Sequence, residues 1–226
     1  MQAHSEGVPL LPLQIGFNAR AAMQACDLAE AGFAGLDAPL EGRFGYLPLF
    51  EGAWDCTAVV GALGKVWRIE EMSHKPFPSG RATHAGVEAI MTLRAAHGFA
   101  AGDVAEIILE VPPLIDQLVN RPAIPVPGAS YARLCLPFVL AKLLLEGAVR
   151  IVRVENPDPN ALVPQDVTVR LTDGRVLRHR VETMLASPAR PLDRAAQLAK
   201  FHACWAQAAV PLDDAAALVD LVDGLE

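Results

Sequence analysis

The sequence predicts an α+β protein, a helical-domain portion with an α+β domain inserted into it, and three patterns carry that prediction. Val167, Val169 and Leu171 alternate with polar residues, an Asp173-Gly174 turn follows, and Leu177, His179 and Val181 alternate again, as in an antiparallel hairpin. Strand-like Lys65–Glu71 and Val104–Val111 flank Thr83–His97, where Val87, Ile90, Met91 and Arg94 recur at helical spacing before Gly98; this is a β–α–β pattern. Helical sequence lies on either side, with Ala19, Ala22, Met23, Cys26 and Ala29 on one face of Phe17–Ala31, and Ala-rich Leu192–Ala208 and Leu212–Leu225 at the other end. The expected boundaries are 1–64 for the helical portion, 65–190 for the α+β domain and 191–226 for helices returning to the helical domain.

In chain order, residues 1–16 mix Gly, Pro and isolated polar residues and read as a connection. Gly32 stops the first helix, and 32–53 reads as a long irregular loop, with Gly32, Gly35, Gly42, Gly45, Gly52, Pro39 and Pro48 among Phe33, Phe44, Tyr46 and Phe50. Pro112 and Pro113 end the second strand, and a Pro-rich run from Arg121 to Gly128 leads to an almost wholly apolar helix, Tyr131–Leu145, which is expected to be buried. Val149–Val154 reads as a further strand, and Pro188 and Pro191 mark the boundary to the last helices. The sequence contains no internal repeat.

Composition narrows the function classes. A chain of 226 residues that is 52% hydrophobic and 20% charged has ample material for a core, which excludes a disordered stalk. A formal charge of −7 with no Lys/Arg cluster disfavours nucleic acid and anionic membranes as partners. The least polar stretch, Leu134–Leu145, contains Pro137 and Lys142 and is too short to span a bilayer. Nothing resembling a secretion signal opens the chain, and Cys26, Cys56, Cys135 and Cys204 form no C-x-x-C pair. They read as buried free thiols, and the expected compartment is the reducing cytoplasm. His4, His74, His84, His97, His179 and His202 lack metal-ligand spacing, so no metal is expected, and no cofactor-binding fingerprint is present.

The densest chemistry lies in Ser73-His74-Lys75-Pro76-Phe77-Pro78-Ser79-Gly80-Arg81-Ala82-Thr83-His84. It sets Lys75 and Arg81 just before a helix start, where free N–H groups and the positive end of the dipole favour an anion. Arg81 is suited to a bidentate grip on a carboxylate. The dipole also disfavours the charged form of His84, leaving an imidazole able to exchange a proton near neutral pH. The plainer alternative is that Lys75 and Arg81 are solvated loop charges, that Pro76 and Pro78 stiffen a turn and that Thr83 or His84 caps the helix. His179, in its strand alternation, and His202 with Trp205 read as structural, and Asp213 and Asp214 read as helix-capping charge.

This segment resembles the motif at the junction into the second domain of MmgE/PrpD proteins. Three further blocks are similar to that family in order and spacing: Gly16–Arg20 followed by Ala31–Gly35, Leu40–Gly45, and Tyr131–Cys135 leading to Leu145–Gly147. The resemblance implies a helical domain plus an α+β domain, a dimer, and an active site between domains for small di- or tricarboxylates. It also implies acid–base chemistry without metal or organic cofactor. Known activities in the family include 2-methylcitrate dehydratase, cis-aconitate decarboxylase and iminodisuccinate epimerase. By position, Lys75 corresponds to the family lysine that contacts substrate, with Arg81 and His84 on the following turn. Gly80 stands where decarboxylase members have a histidine, Phe138 where they have a tyrosine, and Leu11 and Gln14 where a Lys and a His often precede the first helix. Family members are longer, and the chain resembles their C-terminal half.

The resulting expectation is a dehydratase of a small hydroxylated carboxylic acid, with Lys75 and Arg81 binding substrate and Lys75 and His84 catalytic. Its partner is a second copy or a polypeptide supplying the N-terminal half. Two alternatives stay open: a non-catalytic carboxylate-binding or dimerisation module, and an isomerase or epimerase of the same fold.

Overall fold

The structure, a computed structural model of the chain, describes residues 10–122, 124–144, 148–208 and 214–225. It divides into two compact units, Met1–Glu71 and Met72–Glu226.

The first unit opens with helix α1, Leu10–Glu30. It starts well before the Phe17 that apolar spacing suggests, so 10–16 are helix and not connection. Pro12 falls within the first turn, where its missing N–H costs nothing, and Gly16 is carried by its neighbours. The end is a Schellman turn, in which Gly32 at φ 89° lets the Phe33 amide donate back to Leu28 O at 3.0 Å. The expected loop follows, with a π-helical turn at Leu47–Glu51. Helix α2, Cys56–Val60, is capped by Asp55, whose Oδ1 accepts the Thr57 amide at 2.8 Å. The strand expected at Lys65–Glu71 does not form: Arg68–Glu71 is a 3₁₀ turn, and no described strand offers Val66, Trp67 and Ile69 a ladder.

The second unit is built on one four-stranded sheet. Helix α3, His84–His97, follows a 3₁₀ turn at Arg81–Thr83 and stops at Gly98, left-handed at φ 66°. Strand β1, Val104–Val111, leads into α4, Pro113–Val119, a helix begun by the proline that reads in sequence only as a strand breaker. Helices α5, Ala129–Ala132, and α6, Leu136–Leu144, replace the single helix expected over Tyr131–Leu145. Pro137 is the reason, because it fits a first turn but not a helix interior. Strands β2, Ala148–Arg153, β3, Gln165–Leu171, and β4, Val176–Val181, complete the sheet in the order β2-β1-β3-β4. The α4–α6 crossover makes β2 parallel to β1, and the remaining pairs are antiparallel. The β3–β4 hairpin turns through Gly174 at φ 89°, as Asp173-Gly174 predicts.

One sheet face is apolar and covered. Ile107, Leu109 and Val111 of β1 and Val167, Val169 and Leu171 of β3 meet Ala85, Ala89, Ile90 and Leu93 of α3 and Leu136, Leu140 and Leu144 of α6. The other face is charged, with directly opposed pairs Arg180–Asp166 and Arg170–Glu106. Helix α6 is therefore amphipathic and not buried all round: Leu136, Leu140 and Leu144 face inward, while Phe138 and Lys142 are exposed. Helices α7, Arg194–Trp205, and α8, Ala215–Asp223, are joined by the Arg194–Asp223 ion pair. Asp214 caps α8 by accepting the Ala216 and Ala217 amides; Asp213 lies outside the described residues. Of the thiols expected to be buried, Cys135 is buried, but Cys26 and Cys204 are exposed because their helices turn those faces to solvent. The Cys56 side chain lies outside the description. No described helix is long and apolar enough to cross a membrane. The fold class is α+β, with helices preceding and following the sheet.

Leu140 has no exposed surface. Leu140→Ala is expected to lower unfolding free energy by about 2–5 kcal/mol, from lost burial plus the cavity left behind. A urea titration showing a lower midpoint at unchanged slope is the check, and an unchanged midpoint would contradict this core assignment.

Candidate functional site

The Ser73–His84 segment closes on itself through a compact set of hydrogen bonds. The Gly80 amide donates to Arg133 O at 2.8 Å, the Thr83 amide to Gly80 O at 2.9 Å, and the His84 amide to Arg81 O. These three donors, near the helix start where an anion was expected to find free N–H groups, are already used. Thr83 Oγ1 donates to Gly80 O at 2.9 Å, so Ser79 Oγ is the donor in its 2.7 Å contact with Thr83 Oγ1. Thr83 thus occupies the cap position without capping through its side chain. Gly80 packs closely on the α5–α6 corner: a Cβ there would lie 2.5 Å from Leu134 Cδ2, so the leucine side chain would have to turn aside.

His84 is 1% exposed and lies edge-on to Phe77, with ring centroids 5.2 Å apart. Arg81 Nη1 is 3.2 Å from His84 Nδ1, and a guanidinium can only donate, so Nδ1 accepts. The ring proton then belongs on Nε2, which faces Ser79 O at 3.4 Å. Burial pushes the His84 pKa down to about 4, against the hydrogen bond that its ring donates to Ser79 O and with help from the charges of Arg81 and Lys75. The neutral imidazole expected from the helix dipole is found, with burial as its leading cause.

Arg81 Nη1 also donates to Leu185 O at 2.7 Å, while its Nη2 is buried with no hydrogen-bond partner among the described residues. Burial lowers the Arg81 pKa, and the charge of Glu88 opposes that shift. Glu88, four residues beyond His84 on the same helix face, is buried and ion-paired with Arg190. The loop 183–190 thereby covers the polar strip Arg81–His84–Glu88. Ala186 in that loop takes a left-handed φ of 62°, accepts the His74 amide at 2.9 Å and donates its own to Arg190 O at 2.8 Å. Lys75 is exposed, close enough for its charge to act on His84, and takes part in no ion pair among the described residues.

The structure thus brings Lys75, Arg81 and His84 together and adds three partners that sequence reasoning missed. Glu88 was visible as the i+4 neighbour of His84, whereas Arg190 and the Leu185 carbonyl come from a loop with no local signal. His179 is half-buried on β4, and His202 is exposed with its ring against Phe201. Leu11 and Gln14 both lie in α1. Phe138 lines a cavity of about 260 Å³ between Phe77–Ser79 and the α5–α6 corner. Among the described residues, no group of three or more His, Cys, Asp or Glu side chains is placed to hold a metal ion.

The His84 shift has a sign that equilibrium unfolding can read. The unfolded chain protonates this ring near 6.5 and the folded chain near 4, so stability is full above 6.5 and is lost as pH falls between those values. In His84→Asn, that part of the acid destabilisation is expected to disappear. A variant with the same slope of stability against pH over this window would show that His84 does not titrate as its burial requires.

Comparison with curated proteins returns no match. Residues 77–160 match the MmgE/PrpD C-terminal domain, a stretch running from Phe77 through α3, β1, the helical crossover and β2. It contains Arg81 and His84 and begins two residues after Lys75. The stretch from Phe77 to Asn160 accordingly belongs to the MmgE/PrpD family.

Proposed function

We propose that the protein acts on a small hydroxylated di- or tricarboxylic acid as a lyase, by dehydration, with Lys75 and Arg81 holding carboxylates and His84 accepting a proton. The observation that carries this reading is the charge state of one short segment: two cations without an ion-pair partner among the described residues flank an imidazole kept neutral at physiological pH. A carboxylate that draws Arg81 away from His84 Nδ1 frees the lone pair that Arg81 now occupies. The freed nitrogen takes the proton from the carbon next to the carboxylate, the C–H electrons form the double bond, and the neighbouring C–O bond breaks. The departing oxygen takes up the proton that His84 has just gained, so water leaves and the imidazole returns to its neutral form. Lys75, on the exposed side, holds a further carboxylate and stabilises the charge that develops as the proton leaves.

A second reading, a carboxylate-binding module without turnover, is favoured by the engagement of both His84 ring nitrogens with protein partners. Epimerisation or isomerisation would share the proton abstraction. The test is NMR detection of solvent deuterium entering 2-methylcitrate or citrate, or of product formation, with Lys75→Ala alongside. Exchange in the wild type and its reduction by about tenfold or more in the variant are expected. Exchange without product selects the isomerase, ligand binding without exchange selects the module, and Lys75→Ala exchanging at the wild-type rate removes Lys75 from the site.

Association with a second copy, or with a helical polypeptide corresponding to the family's N-terminal half, belongs to the same proposal. Its support is the apolar surface that α1 leaves exposed at Ile15, Phe17 and Met23. Sedimentation equilibrium is expected to give a mass above that of one chain, and a strictly monomeric protein would remove self-association.

A further inference from the structure

With His84 neutral, the buried charged side chains among the described residues are Glu88 and Arg121. Glu88 has Arg190 beside it, whereas Arg121 takes part in no ion pair among the described residues. Arg121 lies just beyond the end of α4 with only 7% of its surface exposed. Its Nε and Nη2 are buried with no hydrogen-bond partner among the described residues. These two groups direct their N–H bonds in parallel along one edge of the guanidinium, the edge that grips two oxygens of a single anion. The guanidinium carbon lies over the Tyr131 ring, 5.0 Å from its centre. Burial lowers the Arg121 pKa, and the groups that oppose this shift are Tyr131 and Cys135, neither of them a carboxylate.

Depth separates Arg121 from the other arginines. Arg20, Arg43, Arg94, Arg133 and Arg178 also lack a carboxylate partner among the described residues, but they are exposed and water solvates them. A guanidinium withdrawn from water without a counterion costs far more than its contact with an aromatic ring returns. The backbone around it is fixed: Tyr131 Oη donates to Pro122 O at 2.8 Å, and Cys135 Sγ donates to Arg121 O at 3.6 Å. The main chain of Arg121 is thus pinned, while one edge of its guanidinium is uncommitted. Asn120, Pro122 and Ser130 are exposed, so the arginine lies one residue beneath the surface, and rotation about its own side-chain torsions carries that edge towards solvent. A tetrahedral oxyanion offers a matching pair of oxygens along each of its edges, so it meets the parallel N–H groups without further polar side chains to orient it.

We propose that Arg121 is the binding point for a small tetrahedral oxyanion, inorganic phosphate, held through Nε and Nη2. The site draws on none of Lys75, Arg81 and His84 and does not depend on the reaction proposed above. Phosphorus NMR line broadening of inorganic phosphate by the full chain at neutral pH tests it, with chloride keeping the ionic strength constant. Saturable broadening is expected. Binding is expected to weaken by about tenfold or more in Arg121→Met, which removes the charge, and in Arg121→Lys, which keeps the charge but loses the paired edge. Lys75→Ala is expected to bind phosphate as the wild type does. In chloride alone, Arg121→Met is expected to unfold at the same urea concentration as the wild type or a higher one, because an apolar chain of similar length replaces an uncompensated buried charge. No saturable broadening by the wild type, or wild-type affinity in either Arg121 variant, would overturn the proposal. Loss of binding in Lys75→Ala would place the anion elsewhere and overturn it as well. A lower urea midpoint for Arg121→Met would show that the folded chain already satisfies this cation, with the same consequence. Failure of deuterium exchange into 2-methylcitrate alters none of these outcomes, so the two proposals fail separately.

Discussion

Helix α3 is buried from its first residue through Ile90, yet its inward and flanking faces include His84 and Glu88, with Arg81 one turn before them. Polar groups cannot be withdrawn from water at that depth without partners. The arrangement meets this demand from outside the helix: the Leu185 carbonyl takes one Arg81 N–H, Arg190 neutralises Glu88, and the Ser79 carbonyl faces the histidine. Loop 183–190 is therefore a structural requirement of α3. Its shape, including a left-handed alanine at a cost of about 1 kcal/mol, is held by what it must satisfy.

The same satisfaction gives the segment its chemical character. A histidine sealed between an arginine, a carbonyl and a phenyl ring stays neutral, and an arginine whose buried Nη2 group has no hydrogen-bond partner among the described residues has binding capacity in reserve. Packing and reactivity are thus two aspects of one network. The exposed Lys75 is the member least constrained by the fold, and the aromatic Phe77 is shared between this network and the neighbouring cavity.

Much of the architecture was legible where local pattern and tertiary environment agree. Alternation at Val167–Leu171 and Leu177–Val181 produces the hairpin because each apolar residue has α3 to cover it. The grouping of Lys75, Arg81 and His84 followed from chain proximity alone. Local pattern misled where the outcome depended on something distant. Val66, Trp67 and Ile69 have strand-like chemistry, but a strand exists only when another supplies its ladder. Prolines were misjudged in both directions: Pro12 and Pro113 lie in the first turns of helices where the sequence suggested a connection and a strand end, while Pro137 starts a new helix inside a stretch expected to be one. Arg190 meets Glu88 across about a hundred residues of chain, a separation over which periodicity carries no information.

The close approach of Gly80 to Leu134 links two stretches of chain that are far apart in sequence. A side chain at position 80 would collide with the leucine that braces the α5–α6 corner, so the glycine and the leucine form one steric unit. A larger residue at position 80 is accommodated when the Leu134 side chain turns away or is itself made smaller. The two positions would change together, and their substitutions would combine non-additively in a double-mutant cycle.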